Sequence, residues 1–168
     1  DKDGFETVSA DSGVYFDEDA KNLVEKTAWV SPDDALLAID INRNGIIDDG
    51  TELFGNSTKM PDGSNATGGF KALSQYDSNS DGVIDEKDSA YDKILVWRDI
   101  NGDGISHKSE LYHLRDLGIK SISLNVSQES GRNVSKYTPL SAETVSKPSL
   151  SKSRTSGSTY LIAPVAES

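Results

Sequence analysis

The sequence predicts an α+β domain in which short helices pack against small antiparallel β-sheets. The apolar side chains of residues 90–95 fall on one helical face. Residues 119–126 instead alternate between apolar and polar, as a half-buried strand does. Segments rich in Asp, Asn and Gly lie among these elements, and such residues favour tight turns. Helices and strands are therefore both expected, connected by acidic loops.

We expect one module over residues 1–168, with three parts. Residues 1–30 contain short apolar runs typical of strands and turns. Residues 31–126 hold the acidic loops and most of the core. Residues 127–168 are rich in Ser and Thr, which predicts either loops or strands with small side chains.

Several elements can be placed inside these parts. Strands are expected at residues 5–8, 14–16 and 28–30, and an apolar run at 35–39 leads into the first acidic loop. The apolar spacing of residues 70–76 predicts a short helix. Near the C-terminus, residues 160–165 predict a closing strand, with Pro164 at its edge or end.

The composition excludes several functions. The chain has 168 residues, 28 acidic against 17 basic ones, and a formal net charge of −11. This acidity argues against nucleic acid or an anionic membrane as partner. The chain has no cysteine, so disulfides and thiol chemistry are excluded. No apolar run approaches the ~18 residues of a membrane span.

The clearest motif runs from residue 99 to residue 110 and fits D-x-[DN]-x-[DN]-G-x5-E, an EF-hand-like loop that wraps Ca²⁺ in oxygen ligands between short helices. Alternate side chains point inward, Gly104 permits the sharp turn, and the last carboxylate closes the far side. The predicted ligands are the side chains of Asp99, Asn101, Asp103 and Glu110 and the backbone carbonyl of Ile105.

A second loop covers residues 77–88 and has the same pattern with an Asp at its closing position. Its ninth residue also carries a carboxylate, where a ligand often acts through water. The predicted calcium ligands are Asp77, Asn79, Asp81, the carbonyl of Val83, Asp85 and Asp88.

A third copy, at residues 40–52, departs from the pattern because its closing carboxylate comes one residue late. Two of its side-chain ligands are neutral, so we expect weaker calcium binding than in the other two loops. Its predicted ligands are Asp40, Asn42, Asn44, the carbonyl of Ile46, and Glu52. A fragment around Asp1 and Asp3, with Asp17 and Asp19 as further oxygen donors, suggests part of another site.

Calcium is therefore the predicted cofactor, and it is expected to drive part of the folding. Three Ca²⁺ ions would change the net charge from −11 to −5. Without them the clustered carboxylates repel one another, so the calcium-free chain should be loose. Extracellular modules bind Ca²⁺ at about 10⁻⁴–10⁻³ M. We therefore expect a secreted or cell-surface bacterial protein that folds after export.

The stretch from residue 40 to residue 55, DINRNGIIDDGTELFG, resembles the D-x-N-G-N-G-x-I-D-x-G-x-E-L-F-G signature of one family. The run from Asp77 through VWRD at 96–99 to Glu110 also resembles it. The family is the calcium-dependent self-processing module of bacterial repeat-in-toxin (RTX) iron-regulated proteins and adhesins. The likeness is dense from Trp29 to Leu124 and weak beyond Val126.

The resemblance implies an autocatalytic reaction at an Asp-Pro bond. The Asp carboxylate attacks its own carbonyl carbon, and the proline nitrogen leaves with a proton from an acid. Water opens the resulting anhydride, or a lysine amine of the same or another protein captures it as an isopeptide cross-link. The other implied partner is the remainder of the parent polypeptide, with the module itself a monomer.

The chain departs from the family in two ways. It contains no Asp-Pro pair, so the reactive bond is expected just upstream of Asp1 and no catalytic residue can be named. In the loop at 99 the eighth residue is Ser106, where the other two loops have isoleucine. Pairing between loops is therefore expected to be irregular.

Two other readings compete with this one. A dockerin-like or structural calcium-binding module of an adhesin would also contain two loops that start 22 residues apart, at 77 and 99. The third copy at 40 disfavours it. A calmodulin-like sensor exposes a Met-rich groove, whereas this chain has only Met60. Trp29 and Trp97 are expected in the core, and His107 and His113 in solvated positions.

Overall fold

The structure, a computed structural model, describes the backbone of residues 7–8, 14–27, 29–32, 34–125, 127–129, 132–139, 149–155 and 158–164, and side chains within 14–125. In this part of the chain every paired strand is antiparallel. The strands are β1 (Thr7–Val8), β2 (Tyr15–Phe16), β3 (Glu25–Lys26), β4 (Trp29–Val30), β5 (Asp34–Ile39), β6 (Val83–Asp85), β7 (Ile94–Trp97), β8 (Leu111–His113), β9 (Ile119–Ser123), β10 (Ser127–Glu129), β11 (Arg132–Pro139), β12 (Ser149–Thr155) and β13 (Ser158–Pro164).

One large sheet contains most of these strands. Its order is β6-β9-β11-β12-β13-β5-β7-β8, and β10 pairs with β11. The pairs β1–β4 and β2–β3 are small sheets of their own near the N-terminus. The closing strand expected near the C-terminus is β13, which pairs with β5 and ends at Pro164.

The predicted α+β class is wrong, because the described residues are mainly β. They contain one short α-helix, α1 (Gly69–Ser74), at the position where the sequence predicts one. The other helical elements are single 3₁₀ turns at Gly50–Glu52, Tyr91–Lys93, Lys108–Glu110 and Arg115–Leu117. No helix in the described part of the chain is long and apolar enough to cross a membrane.

The expected EF-hand-like helices are also absent from the described residues around the acidic loops. The helix predicted over 90–95 is a 3₁₀ turn followed by strand β7. Within β7, Ile94 and Val96 pack into one cluster of the core and Trp97 into another. Branched and aromatic side chains that alternate between two buried faces favour a strand over a helix.

Strand β5 carries the core on both of its faces, and all six of its residues are buried. Ala35, Leu37 and Ile39 pack with α1 and β7 in one cluster. Leu36 and Ala38 pack in a second cluster on the opposite face, with aromatic side chains from the N-terminal strands. A strand buried on both faces reads as a continuous apolar run, which is the pattern found at 35–39.

Residues 14–27 and 29–30 form the N-terminal arm, which covers the second cluster. Phe16, Trp29 and Trp97 meet there with ring centroids 5.1–5.6 Å apart in tilted and edge-on arrangements. Trp29 and Trp97 are almost fully buried, as expected from the sequence. Aromatic pairs of this kind stabilise a fold beyond the area that they bury.

The arm also touches an acidic loop through its backbone. The Gly50 N–H donates to the Asp17 carbonyl at 2.8 Å, and a Cβ at Gly50 would lie 1.9 Å from the Glu18 carbonyl oxygen. The Ser57 hydroxyl donates to the same Glu18 carbonyl at 2.7 Å. The closeness of this contact requires glycine at position 50.

Gly50→Ala should therefore push the arm away from the loop and destabilise the fold by about 2–3 kcal/mol, as overpacking does. Urea unfolding measures this loss. The control is Gly63→Ala, where a Cβ would meet nothing within 4 Å and only the positive φ of +84° opposes it. That control should lose about 1 kcal/mol. Equal losses would mean that the close approach at Gly50 does not matter.

Candidate metal centres in three acidic loops

The three acidic loops share one hydrogen-bond frame, which starts at the first residue of each loop. The first carboxylate accepts the backbone N–H groups of the fifth and sixth residues at 2.8–3.2 Å. The sixth residue is a glycine with positive φ in every loop. The first residues are Asp40, Asp77 and Asp99, and the glycines are Gly45, Gly82 and Gly104.

The middle residues of the loops continue this frame. The third side chain accepts the N–H of the fifth residue, and the fifth side chain accepts the N–H of the seventh, all at 2.8–3.1 Å. The side-chain oxygens therefore turn into each loop as the motif predicts. The residues concerned are Asn42, Asn44 and Ile46; Asn79, Asp81 and Val83; and Asn101, Asp103 and Ile105.

The closing carboxylates complete the frame. Glu52, Asp88 and Glu110 each accept the N–H groups of the second and ninth residues of their loop, at 2.7–3.2 Å. In the loop at 40 the carboxylate comes one residue late, and the 3₁₀ turn Gly50–Glu52 takes up the extra residue. Glu52 therefore occupies the same place in its loop as the other two closing residues.

Burial distinguishes the ends of the loops from their middles. Asp99, Glu52, Asp88 and Glu110 are almost fully buried, whereas the third and fifth side chains are exposed. Burial raises the pKa of Asp99 and of Glu52 above the usual range of a carboxyl, against the donors that lower it. The ionised form of these two groups is therefore disfavoured without a nearby cation.

At two other loop carboxyls, hydrogen bonds outweigh the effect of burial on the pKa. Although burial raises the pKa of Asp88, hydrogen bonds from Asp85 and Ser78 lower it below the usual range. Burial also raises the pKa of Asp103, but the hydrogen bond with the His107 imidazole lowers it below the usual range. Asp103 Oδ2 lies 3.1 Å from His107 Nε2. Hydrogen bonding to Asp103 raises the pKa of His107, which is half-exposed as expected.

The donor set suits a hard cation, since carboxylate, amide and carbonyl oxygens are the ligands of Ca²⁺. Some of the predicted ligand side chains also form contacts with groups outside the predicted ligand set. The side-chain amides of Asn42 and Asn44 donate to Asp48, and Asp85 forms an ion pair with Lys87. Within residues 14–125, apart from the undescribed 28 and 33, no three His, Asp or Glu side chains cluster closely enough to hold a metal. The calcium ligands therefore remain a prediction.

The loops at 40 and 99 are paired with each other. The Ser106 hydroxyl accepts the Ile47 N–H at 2.6 Å and lies 3.3 Å from the Ile47 carbonyl, to which it donates. A side chain thus makes the contact at the eighth position, which is the irregular pairing expected from Ser106. In the loop at 77, Ile84 instead pairs with Ile122 of β9.

The arm is joined to this loop pair at a second place, which the sequence did not indicate. The Trp29 indole Nε1 donates to Asp99 Oδ2 at 2.6 Å in a buried position. Next to it, a Cβ at Gly104 would lie 2.7 Å from the Tyr15 carbonyl oxygen. A Trp that the sequence places in the core therefore also contacts a candidate calcium ligand.

The predicted site near the N-terminus stays untested, since Asp1 and Asp3 lie outside the described residues. Asp17 accepts the N–H groups of Lys21 and Asn22 at 3.1 and 2.7 Å, and so closes a turn of its own. Asp19 forms an ion pair with Lys21 at 2.5 Å.

Ser106→Ala should weaken the contact between the paired loops. It leaves the buried Ile47 N–H without an acceptor, and such a loss costs about 1–3 kcal/mol. Urea unfolding of Ser106→Ala and of the control Ser74→Ala tests this. Because Ser74 bonds Lys71 on the surface of α1, its loss should stay within about 0.5 kcal/mol. A Ser106→Ala variant as stable as the control would remove the hydroxyl from the pairing.

Comparison with known proteins identifies a family and a relative of this chain. Residues 1–156 match the SPM domain family. Over 126 residues, or 74% of the chain, the sequence is 49% identical to iron-regulated protein FrpA of Neisseria meningitidis serogroup C. The chain spans only 11% of the length of that relative. A family match over nearly the whole sequence shows that the chain belongs to the SPM domain family.

Proposed function

We propose that the chain is a calcium-folded module of a secreted repeat-in-toxin protein. In this proposal it promotes autocatalytic cleavage of an Asp-Pro bond just upstream of Asp1, with possible capture of the product by a lysine amine. The single observation that carries the proposal is the frame shared by the three loops, two of which also contact the N-terminal arm. The similarity to FrpA, which is named as an iron-regulated protein, supports the same setting.

Calcium would be held by the predicted ligands of the three loops and would supply positive charge beside buried carboxylates. Asp99, Glu52 and Glu110 have no ion pair with a basic side chain among the described residues. Burying a charge without a partner is costly, and clustered carboxylates also repel one another. The fold is therefore expected to depend on Ca²⁺ at extracellular concentrations.

The arm gives the fold a way to act on the chain upstream of it. Trp29 and Gly50 tie the arm to the loops at 99 and 40, and β4 of the arm pairs with β1 (Thr7–Val8). Closing these two loops would therefore hold β1, which is the described strand nearest in sequence to the proposed cleavage point. A held segment gives an intramolecular reaction its high effective molarity.

The chemistry needs the Asp-Pro bond itself, an acid, and water or an amine. A carboxylate oxygen of the Asp attacks the carbonyl carbon of the same residue, and the bond to the proline nitrogen breaks. The nitrogen leaves with a proton from an acid, and a five-membered cyclic anhydride remains. Water opens the anhydride to two carboxyls, or a lysine amine opens it to an amide and one carboxyl.

Calcium-driven folding is tested first. Asp99→Ala and Asp77→Ala should each abolish the calcium-induced change in circular dichroism, because each removes the residue that organises its loop. Each variant should also bind fewer than the three ions expected at saturation. Native mass spectrometry counts the ions. The control Asp92→Ala removes an exposed carboxylate outside the loops and should keep all three. An unchanged calcium titration in a loop variant would exclude that loop.

Cleavage is tested on a chain extended upstream by about twenty residues so that it includes the native Asp-Pro bond. Gel electrophoresis and intact mass should show two fragments only when Ca²⁺ is added, and none with Asp99→Ala. An extended chain that folds on calcium and stays intact would contradict self-processing. That outcome favours a dockerin-like or structural module of an adhesin.

A further inference from the structure

Trp29 is the side chain through which the arm reaches a candidate calcium ligand. Its ring is buried against Phe16 and Trp97, with centroids 5.1 and 5.4 Å away, and only 1% of the residue is exposed. Its one polar atom, Nε1, donates to Asp99 Oδ2 at 2.6 Å. Packing fixes the ring, and the hydrogen bond fixes its orientation relative to the loop at 99.

The backbone of Trp29 connects this contact to the N-terminal edge of the fold. In the β1–β4 pair, Trp29 lies opposite Val8 and Val30 lies opposite Thr7. Strand β1 is the described element closest in sequence to Asp1. One residue therefore joins the first carboxylate of the loop at 99 to the strand that precedes the arm.

Trp97 provides a natural comparison. It belongs to the same aromatic cluster and is fully buried. Its Nε1, unlike that of Trp29, has no hydrogen-bond partner among the described residues. The two indoles thus share a similar packing role, and among the described residues only that of Trp29 forms a hydrogen bond to a loop.

We infer that Trp29 is a positioning residue: through its bond to Asp99 it transmits closure of the loop at 99 to β4 and β1, and so aligns the chain that enters the cleavage reaction. This inference rests on the proposed function. A hydrogen bond to an ionised acceptor is among the stronger ones in proteins, and a buried indole N–H that loses its acceptor is left unsatisfied. The indole is therefore bound most firmly when the Asp99 carboxylate is fixed in the closed loop.

The other polar contacts of the arm with the loops lie earlier in the arm. The Gly50–Asp17 bond and the Ser57–Glu18 bond hold the loop between β2 and β3. The Tyr15 carbonyl of β2 lies against Gly104 in the loop at 99. None of these contacts is made by β4 itself, so loss of the indole N–H should leave residues 14–18 in place while β4 loses its hydrogen bond to the loop at 99.

Two matched substitutions test the inference in the extended chain. Trp29→Phe and Trp97→Phe each replace a buried indole with a phenyl ring in one cluster, but only the first removes a hydrogen bond. At saturating Ca²⁺, with folding confirmed by circular dichroism, Trp29→Phe should slow cleavage about tenfold or more. Trp97→Phe should stay within about threefold of the parent chain.

A purely structural role would slow both variants equally, and that result would overturn the inference while leaving the proposed function intact. No cleavage of the unsubstituted extended chain would instead overturn the proposed function, and the positioning role with it. The rate at saturating calcium is decisive, because a variant that only weakens calcium binding recovers its rate when the loop is filled.

A spectroscopic measurement on the unsubstituted chain keeps the inference testable if Trp29→Phe fails to fold. The chain has two tryptophans, so a ¹⁵N-labelled sample gives two indole N–H signals, which Trp97→Phe assigns. In the calcium-loaded chain the hydrogen bond to Asp99 should place the Trp29 signal downfield of its position in the unfolded chain, whereas the Trp97 signal should not lie downfield of its own. A Trp29 signal no further downfield than that of Trp97 would overturn the inference.

Discussion

The fold depends on buried carboxylates that hold backbone N–H groups in place of a core within each loop. Asp99, Glu52 and Glu110 belong to loops whose isoleucines, apart from Ile47, are exposed. Each carboxylate accepts backbone donors from residues distant in its loop. This arrangement satisfies the backbone donors but leaves negative charge buried without a basic partner in the described residues. In the proposed function a bound cation would offset this charge, so the groups that give the loops their shape would also hold the ion.

Strands β5 and β7 connect the loops to the core of the whole fold. They are buried on both faces, and the second face is covered by the N-terminal arm with its short strands. The arm in turn contacts the loops at 40 and 99 through Gly50 and Trp29. An opened loop would therefore expose part of the second cluster, so loop closure and core burial support each other.

The sequence predicted the turn geometry of the loops well, because the side chains that form their hydrogen-bond frame follow a short local pattern. Even the late carboxylate of the loop at 40 was placed correctly, since a single 3₁₀ turn absorbs the extra residue. The helix over 90–95 was predicted wrongly because its apolar spacing suits a helical face as well as a two-sided strand. Only the pairing of β7 with β5 and β8, which is a long-range contact, decides between them. The role of Trp29 was missed for the same reason, because its acceptor lies seventy residues away.

The three loops share one frame but differ in what their closure would organise. The loops at 40 and 99 are joined by Ser106 and contact the arm, whereas the loop at 77 contains β6, which pairs with β9 and so belongs to the large sheet. The loops at 40 and 99 therefore contact the N-terminal arm, and the loop at 77 contacts the strands that continue toward the C-terminus. Cation binding at the first two would govern the arm, and binding at the third would govern the sheet. Similar calcium motifs in one chain can thus serve different parts of a fold, because the contacts outside each motif determine what its closure holds.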